Sequence, residues 1–248
     1  MKSILYVCHG TRSEAGQQES KQYIRALQSH FDVPMQITSF LELTSPTIPE
    51  SLDLMIKKNV HDILIMPILL FSAGHAKVDI PTEADRVLLQ YPHVRASYGQ
   101  PIGDHKTMPA IVEKQVASCG TPPSPEDTIL IVGRGSRDDA ATEDFEAIVE
   151  AYRHRSGHPN VETCYLAVQK PTFQEAFENA LAGGTKVYVV PYLVFTGLLM
   201  NDLEKAVQMA NHQGHQAKLA TYLSKHSELM DVFIDRVKEG IVQERLSF

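Results

Sequence analysis

Two histidines of this sequence stand where a metal ion or a proton could be handled. His9 follows the apolar run at residues 4–7 and precedes Gly10, and His75 follows the apolar run at residues 63–66. Each histidine alone is equally well explained as a polar residue of a turn. Together they are more informative, because neutral imidazole is the commonest protein ligand of borderline divalent metals and titrates near neutral pH.

A glutamate interrupts a third apolar segment. Glu42 stands within residues 40–43, Phe-Leu-Glu-Leu, which we predict to be strand-like. A carboxylate in such a run is unfavourable unless it is paired or faces a polar crevice. Glu42 is therefore either an exposed residue at a strand edge or a third metal contact and proton acceptor beside His9 and His75.

An internal repeat helps to decide between these interpretations. Residues 4–12 (ILYVCHGTR) align with residues 129–137 (ILIVGRGSR), and five of the nine positions are identical. Three further blocks pair in the same order, 39–47 with 164–172, 67–71 with 191–195, and 97–98 with 221–222. Four blocks in one order indicate a duplicated domain.

The second copy has lost the three polar residues and has kept the glycine, proline and aromatic residues around them. The correspondences are His9 with Arg134, Glu42 with Ala167, and His75 with Leu199. Purely structural roles would not predict this joint loss. We therefore expect one active site, in the first copy.

Each copy alternates apolar runs with amphipathic segments. In the first copy, residues 4–7 and 63–66 predict buried parallel strands, and residues 17–31, 49–58 and 79–89 predict helices. This alternation favours an α/β fold in which helices cover both faces of a mainly parallel sheet, with ligands bound beyond the carboxyl ends of the strands.

We predict two tandem, similar domains, residues 1–120 and 128–248, joined by the proline-rich linker 121–127. The first would be catalytic. The second, which lacks the metal-site residues, would form the other wall of an interdomain cleft.

The composition excludes several classes of protein. The net charge of −7 argues against a nucleic-acid partner, and three scattered cysteines do not make a disulfide framework. Neither a signal peptide nor an apolar run long enough for a membrane span is visible. We expect a cytoplasmic protein without a membrane partner, and a monomer, because the duplication supplies what two short subunits would.

The other histidines form no compact ligand motif in the sequence. They are His30, His61, His93, His105, His154, His158, His212, His215 and His226. The pair His212 and His215 lies in a polar turn and is predicted to be solvated surface.

Residues 69–81, LLFSAGHAKVDIP, together with the His-Gly-Thr-Arg and Phe-Leu-Glu-Leu segments, resemble the class II tetrapyrrole chelatases. The resemblance covers nearly the whole chain, including the duplication, and is closest to the long, two-domain sirohydrochlorin ferrochelatases. The histidine-rich stretches or C-terminal cysteine motif often found in the long cobaltochelatases do not appear, since the last cysteine is Cys164. The absence of these cobaltochelatase features favours iron over cobalt as the inserted metal.

The resemblance implies a lyase that inserts Fe²⁺ into sirohydrochlorin, releases two protons and forms siroheme. Iron would be a substrate and not a permanently bound cofactor, with Co²⁺ or Ni²⁺ as alternatives. We predict that His9, His75 and Glu42 hold the metal and accept the protons. Groups predicted to meet the substrate carboxylates are the backbone amides of Leu70, Phe71, Ser72, Ala73 and Gly74 and the side chains of Arg12 and Lys77, with Arg134 and Arg137 as further candidates.

Three alternatives stay open. Cobalt insertion for cobalamin synthesis would use the same nitrogen and oxygen ligands, which bind Co²⁺ slightly better on intrinsic grounds. A metal- or tetrapyrrole-binding chaperone would use the same residues without turnover. A histidine phosphatase is disfavoured, because Cys8 stands where its Arg-His-Gly motif has arginine.

Overall fold

The computed structural model of this chain describes residues 2–242. This part forms two compact units, one made of residues 2–103 and 230–242 and the other of residues 104–229. Among the described helices, none combines the length and apolar character that crossing a membrane requires.

The first unit is built on a sheet of four parallel strands. In sheet order these are β2 (Gln36–Phe40), β1 (Ser3–Cys8), β3 (Asp62–Ile68) and β4 (Arg95–Tyr98). Every residue of β1 is buried, as is β3 after its first residue, which is typical of strands covered by helices on both faces. The prediction of a parallel α/β fold is confirmed.

Three helices connect these strands, and their ends differ from the predicted ones by a few residues. They are α1 (Glu14–Gln28), α2 (Ile48–Lys57) and α3 (Ile80–Leu88). The predicted start of α1 at Gln17 is three residues late, because the Ser13 hydroxyl accepts a hydrogen bond from the Gly16 amide and caps the helix.

The second unit repeats this topology. Its strands in sheet order are β6 (Val161–Tyr165), β5 (Thr128–Gly133), β7 (Val187–Pro191) and β8 (Ala217–Leu219), connected by α5 (Asp139–Ser156), α6 (Phe173–Ala182) and α7 (Leu198–His212). Local details recur as well: Thr47 before α2 and Thr172 before α6 each form a capping box with the glutamate three residues later. The duplication seen in the sequence is thus a duplication of structure.

Helix α4 (Met108–Ala117) belongs by sequence to the first repeat but by packing to the second unit. It contacts α5 and β7. The side-chain amide of its buried Gln115 donates to the carbonyls of Pro191 (2.8 Å) and Thr221 (2.6 Å).

Helix α8 (Glu228–Val242) makes the reverse exchange, since all but its first two residues belong to the first unit. The ring of its Phe233 lies 6.0 Å from the ring of Tyr23, and the Lys2 ammonium donates to the carbonyl of Gly240. The repeats 1–120 and 128–248 and the compact units therefore differ by two helices, because each helix buries its apolar face in the unit built on the other repeat.

Candidate metal-handling site

The centre of the first sheet contains a topological switch point. Strands β1 and β3 lie side by side, with Cys8 opposite Ile68. The chain passes from β1 to β2 on one side of this pair, and from β3 to β4 on the other side. Ligands of open α/β sheets bind beyond the strand ends at such a point. His9 directly follows β1, and His75 follows β3 after the loop 69–74.

The rings of His9 and His75 lie next to each other in an edge-to-face arrangement. Their centroids are 4.7 Å apart and their planes are nearly perpendicular, at 85°. With metal–nitrogen bonds of about 2.0–2.1 Å, two imidazoles that share one tetrahedral or octahedral ion have centroids roughly 4.5–5.2 Å apart. The side chains are 26% and 37% exposed, so each ring is supported by protein on one side and partly exposed on another, although Nε2 of His9 is itself buried.

The hydrogen bonds of His9 determine which of its nitrogens is basic. Nδ1 lies 3.1 Å from the carbonyl oxygen of Gly10, which only accepts, so Nδ1 carries the proton in this bond. Nε2 then holds the lone pair, and it lies 3.6 Å from Oε1 of Glu42. His9 therefore presents one basic nitrogen next to a half-exposed carboxylate.

His75 begins a π-helical turn, His75–Asp79, that leads directly into α3. Such turns occur often at functional sites. The turn places the Asp79 carboxylate 2.7 Å from Nδ1 of His75, so this imidazole also keeps Nε2 as its basic nitrogen. Asp79 was not predicted from the sequence. Its position four residues after His75, about one helical turn, could have indicated that the two side chains meet.

Glu42 lies in a loop, and the strand-like prediction for residues 40–43 is wrong beyond Phe40. Strand β2 ends there, and Leu43 turns the chain with a positive φ of 61°. The Glu42 amide still donates to the carbonyl of His9 at 3.1 Å, which holds this loop beside the exit of β1.

Gly10 allows this close approach of the two loops. Its φ is +96°, and a Cβ atom at this position would lie 1.8 Å from the carbonyl oxygen of Glu42. Gly135 has the same role in the second unit, where a Cβ would lie 1.8 Å from the carbonyl oxygen of Ala167. These two glycines of the repeat are therefore required by the backbone.

The residues predicted to bind substrate carboxylates surround the histidine pair in sequence. Arg12 is exposed between β1 and α1, and Lys77 is exposed on the π-helical turn. The carbonyl of Leu70 accepts from the Gly103 amide, which anchors the loop 69–74. Gly74 is helical, and a Cβ there would meet nothing within 4 Å, so the fold itself does not require glycine. Carboxylate binding by these groups stays a prediction.

The thiol next to His9 is not available as a ligand. Burial raises the pKa of Cys8 to about 12, so this side chain stays protonated at neutral pH. Within residues 2–242, no three or more His, Cys, Asp or Glu side chains are arranged to hold a metal ion. The candidate site thus consists of two neighbouring imidazoles, with Glu42 beside His9 and Asp79 beside His75.

The corresponding edge of the second sheet has different chemistry. Arg134 follows β5 and is exposed, Ala167 takes the place of Glu42, and Leu199 lies partly exposed at the start of α7. The backbone is nevertheless the same, because the Ala167 amide donates to the carbonyl of Arg134 as the Glu42 amide does to that of His9.

Comparison with known proteins identifies the family. The CbiX family model matches this chain twice, at residues 3–119 and 128–240. A sirohydrochlorin ferrochelatase of Priestia megaterium is 36% identical over 96% of this chain and 90% of its own length. A sirohydrochlorin cobaltochelatase of the same organism is 32% identical over 98% of this chain and 81% of its own length.

A solved structure agrees with these matches. The structure described as SirB from Bacillus subtilis with Fe³⁺ has a TM-score of 0.87 and 36% identity, covering 98% of this chain and 96% of that chain. The chain therefore belongs to the CbiX family of class II chelatases and carries one copy of the family's domain in each half.

Proposed function

We propose that this protein inserts Fe²⁺ into sirohydrochlorin, with release of two protons, to form siroheme. The observation that carries the proposal is the pair of imidazoles, His9 and His75, 4.7 Å apart at the switch point of the first sheet. Membership of the CbiX family and the 36% identity to a ferrochelatase support the choice of reaction.

The pair is suited to holding a metal that must later leave. Both histidines use Nδ1 towards the protein and keep Nε2 for the ion. Two imidazoles occupy only part of the coordination sphere of a first-row divalent ion, so positions remain for incoming pyrrole nitrogens. The metal is thereby oriented but not enclosed.

Proton removal needs a base that is not bound to the metal at that moment. Nε2 of His9 cannot hold the ion and accept a proton together, and Glu42 lies 3.6 Å from that nitrogen. We therefore assign the first proton to Glu42 while the imidazoles hold the ion. His9 takes the second proton when the metal passes to the macrocycle, since neutral imidazole is matched to accepting protons near pH 7.

Co²⁺ is the second candidate for the metal that this protein inserts. The 32% identity to a cobaltochelatase favours it, as does the slightly higher intrinsic affinity of nitrogen and oxygen ligands for Co²⁺. Competition between Fe²⁺ and Co²⁺ in one anaerobic assay would measure the preference directly. The cytoplasmic location, the monomeric state and the part played by the second half in binding substrate stay predictions.

The assignment is tested by following the absorbance of sirohydrochlorin with Fe²⁺ and with Co²⁺, after subtraction of the rate without protein. His9→Ala and His75→Ala should each lower the rate with both metals by about a hundredfold or more, because each removes a metal ligand or proton acceptor. The control is His30→Ala, because His30 is an exposed histidine two residues beyond the end of α1. Wild-type rates in both active-site variants would refute the site, and binding without turnover in the wild type would favour the chaperone.

A further inference from the structure

A second pair of histidines lies at the opposite end of β3. His61 directly precedes β3, and His93 lies two residues before β4. Their ring centroids are 5.3 Å apart, with an angle of 61° between the planes. Both residues are exposed, and the ring of Tyr91 packs edge-on against His93 at 6.2 Å.

The register of the sheet brings these histidines together from positions 32 residues apart in the sequence. Strands β3 and β4 pair in parallel with Asp62 opposite Arg95, and the Arg95 amide donates to the His61 carbonyl at 2.8 Å. Both imidazoles therefore emerge from one edge of the first unit. This is the edge of strand amino ends, whereas His9 and His75 lie at the carboxyl ends.

The distance between the two rings is close to that of two imidazoles that share an ion. The 5.3 Å separation is just above the roughly 4.5–5.2 Å expected when two imidazoles bind one ion at about 2.0–2.1 Å, so a small side-chain movement brings the rings into this range. Of the charged neighbours, Asp62 and Arg95 form an ion pair at 3.2 Å, and Lys58 adds one positive charge beside His61. His61, though not His93, also lines a cavity of about 390 Å³, so open space adjoins the His61 side of the pair.

We infer that His61 and His93 form a second binding site for a borderline divalent ion such as Zn²⁺, Co²⁺ or Ni²⁺. Neutral imidazole prefers these ions, and water completes the coordination. The seven residues of β3, at about 3.3 Å each, separate this site from His9 and His75 by roughly 23 Å. The two sites cannot share an ion, so the second site binds metal independently of chelation.

The stoichiometry of Zn²⁺ binding tests this inference, measured by equilibrium dialysis at pH 7.5 on full-length protein without a polyhistidine tag. We expect two ions on the wild type, one on His61→Gln/His93→Gln, one on His9→Ala/His75→Ala, and none on the fourfold variant. His30→Gln should keep both ions. Because His61 and His93 are exposed, their variant should melt like the wild type and insert metal at the wild-type rate when metal is saturating.

Two outcomes would overturn the inference. One is an unchanged stoichiometry of two in His61→Gln/His93→Gln. The other is a Zn²⁺ ion that still binds to the fourfold variant. That ion would have to bind elsewhere, for example at His212 and His215. Neither outcome bears on the proposed chelatase activity, which depends on His9 and His75.

As a second readout, Zn²⁺ should raise the thermal midpoint of His9→Ala/His75→Ala, because the remaining ion joins two segments of the folded sheet. This rise should disappear when His93→Gln is added. A rise that persists would contradict the assignment.

Discussion

At the scale of single residues, the candidate site depends on how each imidazole is held. His9 donates from Nδ1 to a backbone carbonyl, whereas His75 donates from Nδ1 to the carboxylate of Asp79. A carboxylate behind an imidazole fixes its orientation and makes Nε2 a better metal ligand. The two histidines are therefore not equivalent, and His75 is expected to be the stronger ligand.

Replacing Asp79 tests this difference. Asp79→Asn keeps an acceptor for Nδ1 but removes the negative charge, and we expect metal affinity or activity to fall about 10–100-fold. The measurement is Co²⁺ affinity together with kcat and KM for metal insertion. Asp85→Asn, which removes an exposed carboxylate from α3, is the matched control. Wild-type affinity in Asp79→Asn, or no recovery in Asp79→Glu, would argue against a positioning role.

Two glycines of the site are expected to respond oppositely to the same change. Gly10→Ala should destabilise the fold by at least about 2–3 kcal/mol, because φ is positive and the new methyl group meets the Glu42 carbonyl. Gly74→Ala should be neutral or stabilising by up to about 1 kcal/mol, because the backbone is helical and the surrounding space is open.

Urea unfolding of both variants measures this contrast. If substrate approaches the backbone at residue 74, Gly74→Ala should also raise KM for sirohydrochlorin while the protein stays fully folded. Equal stability losses in the two variants would contradict the structural account.

At the scale of secondary structure elements, the sequence predicted the strands well and the loops poorly. Buried parallel strands are continuous apolar runs, so residues 4–7 and 63–66 marked β1 and β3 directly. The position of Glu42 was mispredicted because the apolar pattern continues past the residue at which Leu43 turns the chain. The contact between His61 and His93 was invisible because it depends on the register of β3 with β4.

We expect His226, which follows a short 3-10 turn, to make the stability of the protein depend on pH. His226 follows a 3-10 turn (Leu223–Lys225), and its Nε2 lies 2.9 Å from the hydroxyl of Thr221. Burial, and secondarily the charge of Lys114, lowers the pKa of His226. The unfolded chain then binds a proton at this site more readily than the folded protein does.

The ordinary pKa of histidine is 6.5, and above that pH the stabilisation from neutral His226 is fully present. It is lost as the pH falls towards the lowered pKa of His226 in the folded state. The free energy of unfolding should therefore decrease between pH 7 and pH 5. In His226→Gln this decrease should be smaller. Urea unfolding at several pH values measures the difference, and parallel curves for both proteins would exclude His226 as the cause.

At the scale of the whole molecule, the exchange of α4 and α8 was not predictable from sequence. Periodicity shows that a helix has an apolar face, but it does not show which sheet that face covers. Val232, Phe233 and Val237 of α8 are completely buried, and each contributes about 1.5–3 kcal/mol. Their sum is comparable with the 5–15 kcal/mol that stabilises a typical domain.

We therefore expect that fragments 1–120 and 128–248, produced separately, do not fold stably. A permuted fragment in which residues 230–242 are joined by a flexible linker to residues 2–103 should instead melt cooperatively. Circular dichroism during heating measures both. Cooperative melting of fragment 1–120 alone would show that α8 is dispensable for the first unit.

The exchange of helices also affects the order in which the protein matures on the ribosome. Domains generally fold as they emerge, beginning with the N-terminal one. Here the unit of residues 104–229 is continuous and can be completed first, whereas the unit that carries His9 and His75 has to wait until residues 230–242 have been synthesised. We therefore expect the unit that carries the two histidines to become stable last.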